Sequence, residues 1–154
     1  MNTRRILSIL AAFFAAMLFT TTAAYAGNAH FIASGTSAST SGTSLVVKFK
    51  EAGLESGSVE TVQVSAHLYA VYQCINGGGH NPSDPKKATI DSSVSTSGTF
   101  EAGKNGNLTG SLSVSAPSAG SVLSCPGGQK ATLISVDWSN VVIDDLTSGA
   151  HLAL

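Results

Sequence analysis

Apolar and polar residues alternate along residues 58–75. The odd-numbered positions of this segment are mostly polar, whereas the even-numbered positions from Val62 onwards are apolar or aromatic. A period of two residues is typical of a β-strand with one buried face and one face toward solvent. The inward-facing set that this pattern predicts is Val62, Val64, Ala66, Leu68, Ala70, Tyr72 and Cys74.

Shorter segments with the same alternation predict further strands. The last two of these segments, residues 131–138 and 140–146, fit either one long bent strand or two short ones. Asn105-Gly106 favours the positive φ angles of a tight turn, so we expect the strands on its two sides to pair as a hairpin. The Ser/Thr/Gly-rich residues 36–44 are predicted to be a flexible loop. The strand segments are residues 29–33, 45–50, 90–100, 108–114, 131–138 and 140–146.

These strands are separated by Gly and Ser about every ten residues, which is typical of an all-β fold. No segment after Ala26 keeps a helical period over three turns. The pattern predicts an antiparallel β-sandwich of about seven to eight strands, Ig-like or related. A small β-barrel is the alternative.

Residues 1–26 have the order of a secretory signal peptide. Arg4 and Arg5 precede an apolar run at residues 6–19, and small residues then end in Ala24-Tyr25-Ala26. The run is shorter than the roughly 20 residues that a membrane span needs. We expect cleavage after Ala26, a single secreted domain of residues 27–154, and no membrane span after cleavage. An uncleaved membrane anchor is the alternative.

Charge in residues 27–154 argues against nucleic-acid binding. The segment has six lysines, no arginine and nine acidic residues, a net charge of about −3. Nucleic-acid binding depends on neutralising phosphates and favours Arg at base edges. The abundant Ser, Thr and Gly instead fit an extracellular wall, sugar or assembly environment.

Cys74 and Cys125 predict one disulfide, because an even cysteine count in an exported chain indicates pairing. Closing a loop of about 50 residues corresponds to roughly 4 kcal/mol of stabilisation before strain. A long loop follows Cys74, and a second one contains Cys125. We expect the disulfide to tether them into an interaction surface at one end of the sandwich. Its candidate residues are Asn76, Gly77, Gly78, Gly79, His80, Asn81, Asp84, Pro126, Gly127, Gly128 and Gln129.

Two segments around the cysteines carry a resemblance. They read AVYQCINGGG at residues 70–79, followed by a Pro/Lys stretch, and LSCPGGQ at residues 123–129. The chain resembles a group of small secreted bacterial proteins, many from actinobacteria, with the same signal, strands and cysteine pair. The resemblance implies export, the disulfide and a bacterial source. It implies no activity and no catalytic residue.

The remaining motifs do not form a catalytic or metal-binding set. His30, His67, His80 and His151 are not at ligand spacing. Asp144-Asp145 suggests calcium but lacks a D-x-D-x-D loop, so we expect a solvated strand end. The chain has no G-x-S-x-G elbow, and no helix is predicted after the triple glycine to make a phosphate cradle. We therefore expect no enzyme activity, no metal and no cofactor. A small hydrolase is the alternative.

These observations favour a secreted, non-enzymatic interaction or structural protein of the cell surface or extracellular space. Its partner is expected to be a protein or a cell-wall polysaccharide. A carbohydrate-binding module is one alternative, supported by Tyr69 on the polar face of its strand, whereas Trp138 is predicted to be core. A self-assembling fibre subunit is another, because long strands of low charge pair edge to edge. Asn107 lies in an N-glycosylation motif that a bacterium would leave unused.

Overall fold

The computed structural model describes residues 28–83 and 85–154, where eight β-strands form two antiparallel sheets. The predicted signal peptide and the candidate residue Asp84 lie outside the described residues. A 3-10 helix at Ala33–Gly35 and a short helix α1 at Ala119–Val122 accompany the strands, and no described helix has the length and apolar character of a membrane span. The strands are β1 (His30–Phe31), β2 (Ser37–Ser41), β3 (Ser44–Ala52), β4 (Val59–Asn76), β5 (Lys87–Glu101), β6 (Leu108–Ser115), β7 (Gln129–Asp145) and β8 (His151–Ala153).

The two sheets differ in length. In the small sheet, β3 is central, with β6 on one side and the short strands β1 and β2 on the other. The long sheet has the order β5-β4-β7-β8. Both sheets are open and pack face to face, so the predicted β-sandwich is confirmed and the alternative of a small barrel is wrong.

The predicted hairpin between β5 and β6 is wrong, although its turn does form. β5 pairs with β4, whereas β6 pairs with β3 in the other sheet. Gly106 has φ +69° and its N–H bonds to Gly103, as expected for a tight turn. The Gly106 carbonyl, however, accepts from the Leu54 N–H at 3.1 Å, which docks the turn against the loop between β3 and β4. The turn therefore carries the chain from one sheet to the other.

Residues 36–44 contain a strand rather than a flexible loop. β2 pairs with β3 from Ser37 opposite Lys48 to Ser41 opposite Ser44. All five β2 residues are exposed, so no apolar face marked the strand in the sequence. β7 is the predicted single bent strand, with two register shifts against β4.

Two apolar clusters stabilise the sandwich. The inter-sheet core lies between the sheets and includes Val47, Phe49, Val64 and Ile143. The distal core lies where β4 continues past the small sheet, and Leu123 and the α1 segment pack on it. Burying these side chains supplies the main driving force for folding. Trp138 contacts both clusters, as its predicted core position requires.

Candidate functional site

The disulfide joins the end of β4 to the loop before β7. Cys74 and Cys125 are bonded with an S–S distance of 2.04 Å and a Cα–Cα distance of 5.6 Å, which confirms the predicted pair. Asn76 pairs with Gln129 at the end of the long sheet, so the two loops leave the sheet side by side. We call residues 76–83 and 126–129 the tethered-loop surface. It brings together all the predicted loop residues that the structure describes.

The first loop is folded back on itself. The Asn76 N–H donates to the His80 carbonyl at 3.0 Å, and the Gly79 N–H donates to the Asn76 carbonyl at 2.9 Å. The Gln73 amide donates to Asn81 Oδ1 at 2.9 Å, which attaches the loop to β4. Gly79 has φ +78°, a conformation that favours glycine. The glycine-rich sequence thus makes a defined turn.

Tyr72 of β4 and Lys86, which directly precedes β5, hold the second loop with their side chains. Lys86 Nζ donates to the Ser124 carbonyl at 2.9 Å, and the hydroxyl of Tyr72 donates to the Pro117 carbonyl at 2.8 Å. Tyr72 is buried in the distal core, and this burial raises the pKa of its hydroxyl. These two hydrogen bonds act together with the disulfide to hold the loop against the end of the long sheet.

The tethered-loop surface is exposed and has few charged groups of its own. His80 is the one titratable side chain among its residues, and Asp84 follows it in the sequence. Lys86, Lys87 and Lys130 flank the loops and are exposed. Half of the six lysines of residues 27–154 therefore surround this end of a segment with net negative charge.

Three buried carboxyls form a second constellation that sequence reasoning missed. Glu51 of β3, Glu60 of β4 and Asp145 of β7 join the two sheets. Ser148 Oγ lies 3.1 Å from Glu51 Oε1 and 2.9 Å from Asp145 Oδ2, while the Ser58 hydroxyl donates to Glu60. A hydroxyl has one proton, so it donates to one of these two carboxyls at a time. We call these three residues the carboxyl cluster.

The carboxyl cluster holds protons more tightly than solvated carboxyls do. Burial, and then the charge of Asp145, raise the pKa of Glu51 from 4.5 to about 7. Burial is also the main cause that raises the pKa of Glu60. Oε2 of each glutamate is buried without a hydrogen-bond partner among the described residues. In that part of the chain, no group of three or more His, Cys, Asp or Glu side chains is arranged to hold a metal ion.

The alternation of the strands contained a signal for this cluster. Glu60 falls on an inward-facing even position of β4, and Glu51 continues the inward-facing phase of β3. The expectation that Asp144-Asp145 is a solvated strand end is wrong for Asp145, which is buried. Asp144 instead contacts His151, with Oδ1 and Nδ1 2.7 Å apart.

The outer face of the long sheet carries an exposed aromatic side chain among polar residues. Tyr69 is 44% exposed and lies opposite Asp91 on one neighbouring strand and Asp137 on the other. His67 Nε2 is 2.6 Å from Asp91 Oδ1, so the imidazole and that carboxylate hold each other in place. Tyr69 is at an odd-numbered position of residues 58–75, so the sequence pattern predicted that it lies on this polar face.

No protein-family model, curated protein or solved structure matches this chain. The resemblance to small secreted bacterial proteins therefore remains a proposal that depends on residues 70–79 and 123–129. The functional argument depends on the geometry of the tethered-loop surface and of the outer sheet face.

Proposed function

We propose that this chain is a secreted, non-enzymatic interaction protein of the bacterial cell surface or extracellular space. The observation that carries the proposal is the joining of two exposed glycine-rich loops by a disulfide at the end of a long sheet. Loops held on a rigid scaffold are a common place for binding residues. The tethered-loop surface is therefore the proposed contact surface.

Two features support export. A disulfide forms and persists in oxidising compartments outside the cytoplasm. Residues 1–26 have the order of charge, apolar run and small residues found in signal peptides. We accordingly propose that the mature protein begins at Gly27 and folds, with its disulfide, after export.

Charge supports an anionic partner, such as a cell-wall polysaccharide or an acidic protein segment. Lys86, Lys87 and Lys130 flank loops that otherwise present glycine backbone and amide side chains. Backbone N–H groups and amides bind by hydrogen bonds, and the lysines add attraction that salt screens. His80 as the one titratable group of the surface favours recognition over acid–base catalysis, which uses positioned proton donors and acceptors.

Binding of the mature protein to isolated bacterial cell walls tests this proposal. We expect Lys130→Ala and His80→Ala to weaken retention several-fold and high salt to weaken it further. Lys104→Ala is the matched control, because Lys104 is exposed on the turn between the two sheets, away from the loops. The assignment of this surface would be contradicted if the loop substitutions left retention unchanged. It would also be contradicted if Lys104→Ala lowered retention as much as they do.

Carbohydrate binding at the outer sheet face is the second candidate function. The observation that favours it is Tyr69 between Asp91 and Asp137. A tyrosine ring presents an apolar face to the C–H groups of a sugar, and carboxylates accept hydrogen bonds from sugar hydroxyls. Retention on chitin, cellulose or peptidoglycan should then be lost in Tyr69→Ala and kept in Lys130→Ala. The opposite pattern would favour the tethered-loop surface.

A further inference from the structure

β5 is a long edge strand without the usual protection against pairing. It has 15 residues and pairs with β4 in an unbroken register from Gln73 opposite Lys87 to Val59 opposite Glu101. Among the described residues, no strand pairs with its other side. Natural edges are commonly shortened, bulged or interrupted by Lys or Pro. Residues 88–100 contain no lysine, arginine or proline.

The other outer strands are shorter or bent. β8 has three residues, β2 has five and β6 has eight, and β7 is bent by two register shifts. The long, regular edge of β5 therefore stands apart from the other edges that the structure describes.

Hydrogen bonds at both ends of β5 show which backbone groups face the open edge. The Ala102 N–H donates to Ser58 at 2.8 Å, and the Cys74 N–H donates to Lys86 at 2.9 Å. Both pairs continue the β4–β5 register, so its hydrogen-bonded positions are even-numbered. In an antiparallel ladder bonded and non-bonded positions alternate. The odd-numbered residues of β5, which include both of its end residues, therefore direct their N–H and C=O groups outward.

We propose that β5 pairs antiparallel with β5 of a second copy, about a twofold axis at Val94, and joins two four-stranded sheets into one of eight strands. This register aligns both strands over their full length and places odd positions opposite odd positions. Outward N–H groups then meet outward carbonyls. It also sets Lys87 opposite the partner's Glu101 at both ends, and Thr89 opposite the partner's Thr99.

The side chains on the inward face also complement one another in this register. Ile90 lies opposite the partner's Gly98, and Val94 lies opposite its own copy. Ala88 lies opposite the partner's Phe100. Large side chains thus face small ones away from the axis, and such cross-strand pairs are the unit of sheet stabilisation.

The charges at the ends of β5 are not paired by the residues opposite them in their own sheet. Their direct neighbours on β4 are the uncharged Gln73 and Val59. Lys87 and Glu101 of the same chain are separated by the length of the strand, about 50 Å at ~3.4 Å per residue. An ion pair between these two positions therefore forms only between copies.

The twofold pairing is closed. Each copy uses its single β5 edge, and the interface is the same surface on both subunits. The product is a dimer and not the fibre that repeated edge-to-edge pairing would give. This inference does not depend on the tethered-loop surface.

Charge reversal of the mature protein tests the register. Sedimentation equilibrium should show a dimer for the wild type. Lys87→Glu or Glu101→Lys places like charges opposite each other at both ends, and we expect either to raise the dimer Kd about ten-fold. The double variant restores opposite charges and should return the Kd to the wild-type value. Lys48→Glu is the control, because Lys48 is exposed on β3 of the other sheet, and it should leave the Kd unchanged.

A second variant tests the backbone pairing. Ser95→Pro removes an N–H that faces the open edge and keeps the hydrogen bonds to β4, so the monomer should fold, as circular dichroism and the Tm would show. It should be monomeric. A wild type that stays monomeric up to millimolar concentration would overturn the proposal. So would dimers that tolerate Ser95→Pro, lack of rescue in the double variant, or open-ended polymers.

Discussion

Glu51 is an ionisable residue in an apolar, buried position of its strand. It occupies an inward position of β3 and is fully buried, although a charged carboxylate is costly to remove from water. Asp145 adds repulsion and shares the hydroxyl of Ser148 with it. A proton on Glu51 removes its charge, and this lowers both the cost of burial and the repulsion from Asp145.

The stability of the protein should therefore depend on pH. Between the unfolded pKa of 4.5 and the folded pKa of about 7, the folded state binds more protons at Glu51 than the unfolded state does. The free energy of unfolding then falls as pH rises through this window, and the raised pKa of Glu60 acts in the same direction. The contribution of Glu51 to this loss is about 3 kcal/mol at most. Urea denaturation at pH 4.5, 6, 7 and 8 measures it.

Glu51→Gln separates this effect from the other charges. The amide keeps the shape of the side chain without a titrating proton, so the variant should lose less stability than the wild type as pH rises to 8. Glu55→Gln is the control, because Glu55 is exposed on the loop between β3 and β4. Equal pH slopes for the wild type and Glu51→Gln would refute the role of this carboxyl.

Gly110 is a second residue whose identity the packing dictates. It lies opposite Phe49 on β3, and a Cβ atom there would be 2.5 Å from Phe49 and 2.7 Å from Phe100. These rings pack edge to face, 5.1 Å apart, and Phe49 is buried. Gly110→Ala should therefore cost about 1–3 kcal/mol of unfolding free energy. Gly120→Ala, whose Cβ would meet nothing within 4 Å, should cost nothing measurable in the same thermal melt.

At the scale of the element, β4 was predictable and its neighbours were less so. Its alternation is uninterrupted because one face packs in both cores along its whole length. β2 carried no such signal, since backbone pairing with β3 forms the strand without burying a face. The hairpin prediction was wrong because the turn at Gly106 bonds to Leu54, a contact distant in sequence.

The disulfide acts on two elements at once, the end of β4 and the loop before β7. It closes a sequence separation of 51 residues, and the chain-entropy estimate for such a loop is about 4 kcal/mol. Replacing Cys74 and Cys125 together by Ser should lower the free energy of unfolding by about 2–4 kcal/mol in non-reducing urea denaturation. Wild type treated with reductant should match the variant. Unchanged stability would show that other contacts hold these elements.

At the scale of the whole molecule, the unequal sheets divide the sandwich into two parts. The inter-sheet core is covered by strands on both sides, whereas the distal core is covered by β4 and its neighbours on one side and by the α1 segment on the other. The sequence predicted that the two loops meet, because the cysteines fix that contact. It did not predict the carboxyl cluster, because Glu51, Glu60 and Asp145 meet only when the sheets stack.

This division predicts unequal local stability, which hydrogen exchange can measure. Amides of β3 and the inter-sheet half of β4 should exchange slowest, with protection near the global free energy of unfolding. The α1 segment has a single four-residue helix, and it should open at lower free energy. Reducing the disulfide should speed exchange at residues 76–83 and 119–129 at least ten-fold more than in β3, once the change in global stability is subtracted. An equal change in both parts would mean that the sandwich opens as one cooperative unit. The tethered loops would then not open independently of the rest of the domain.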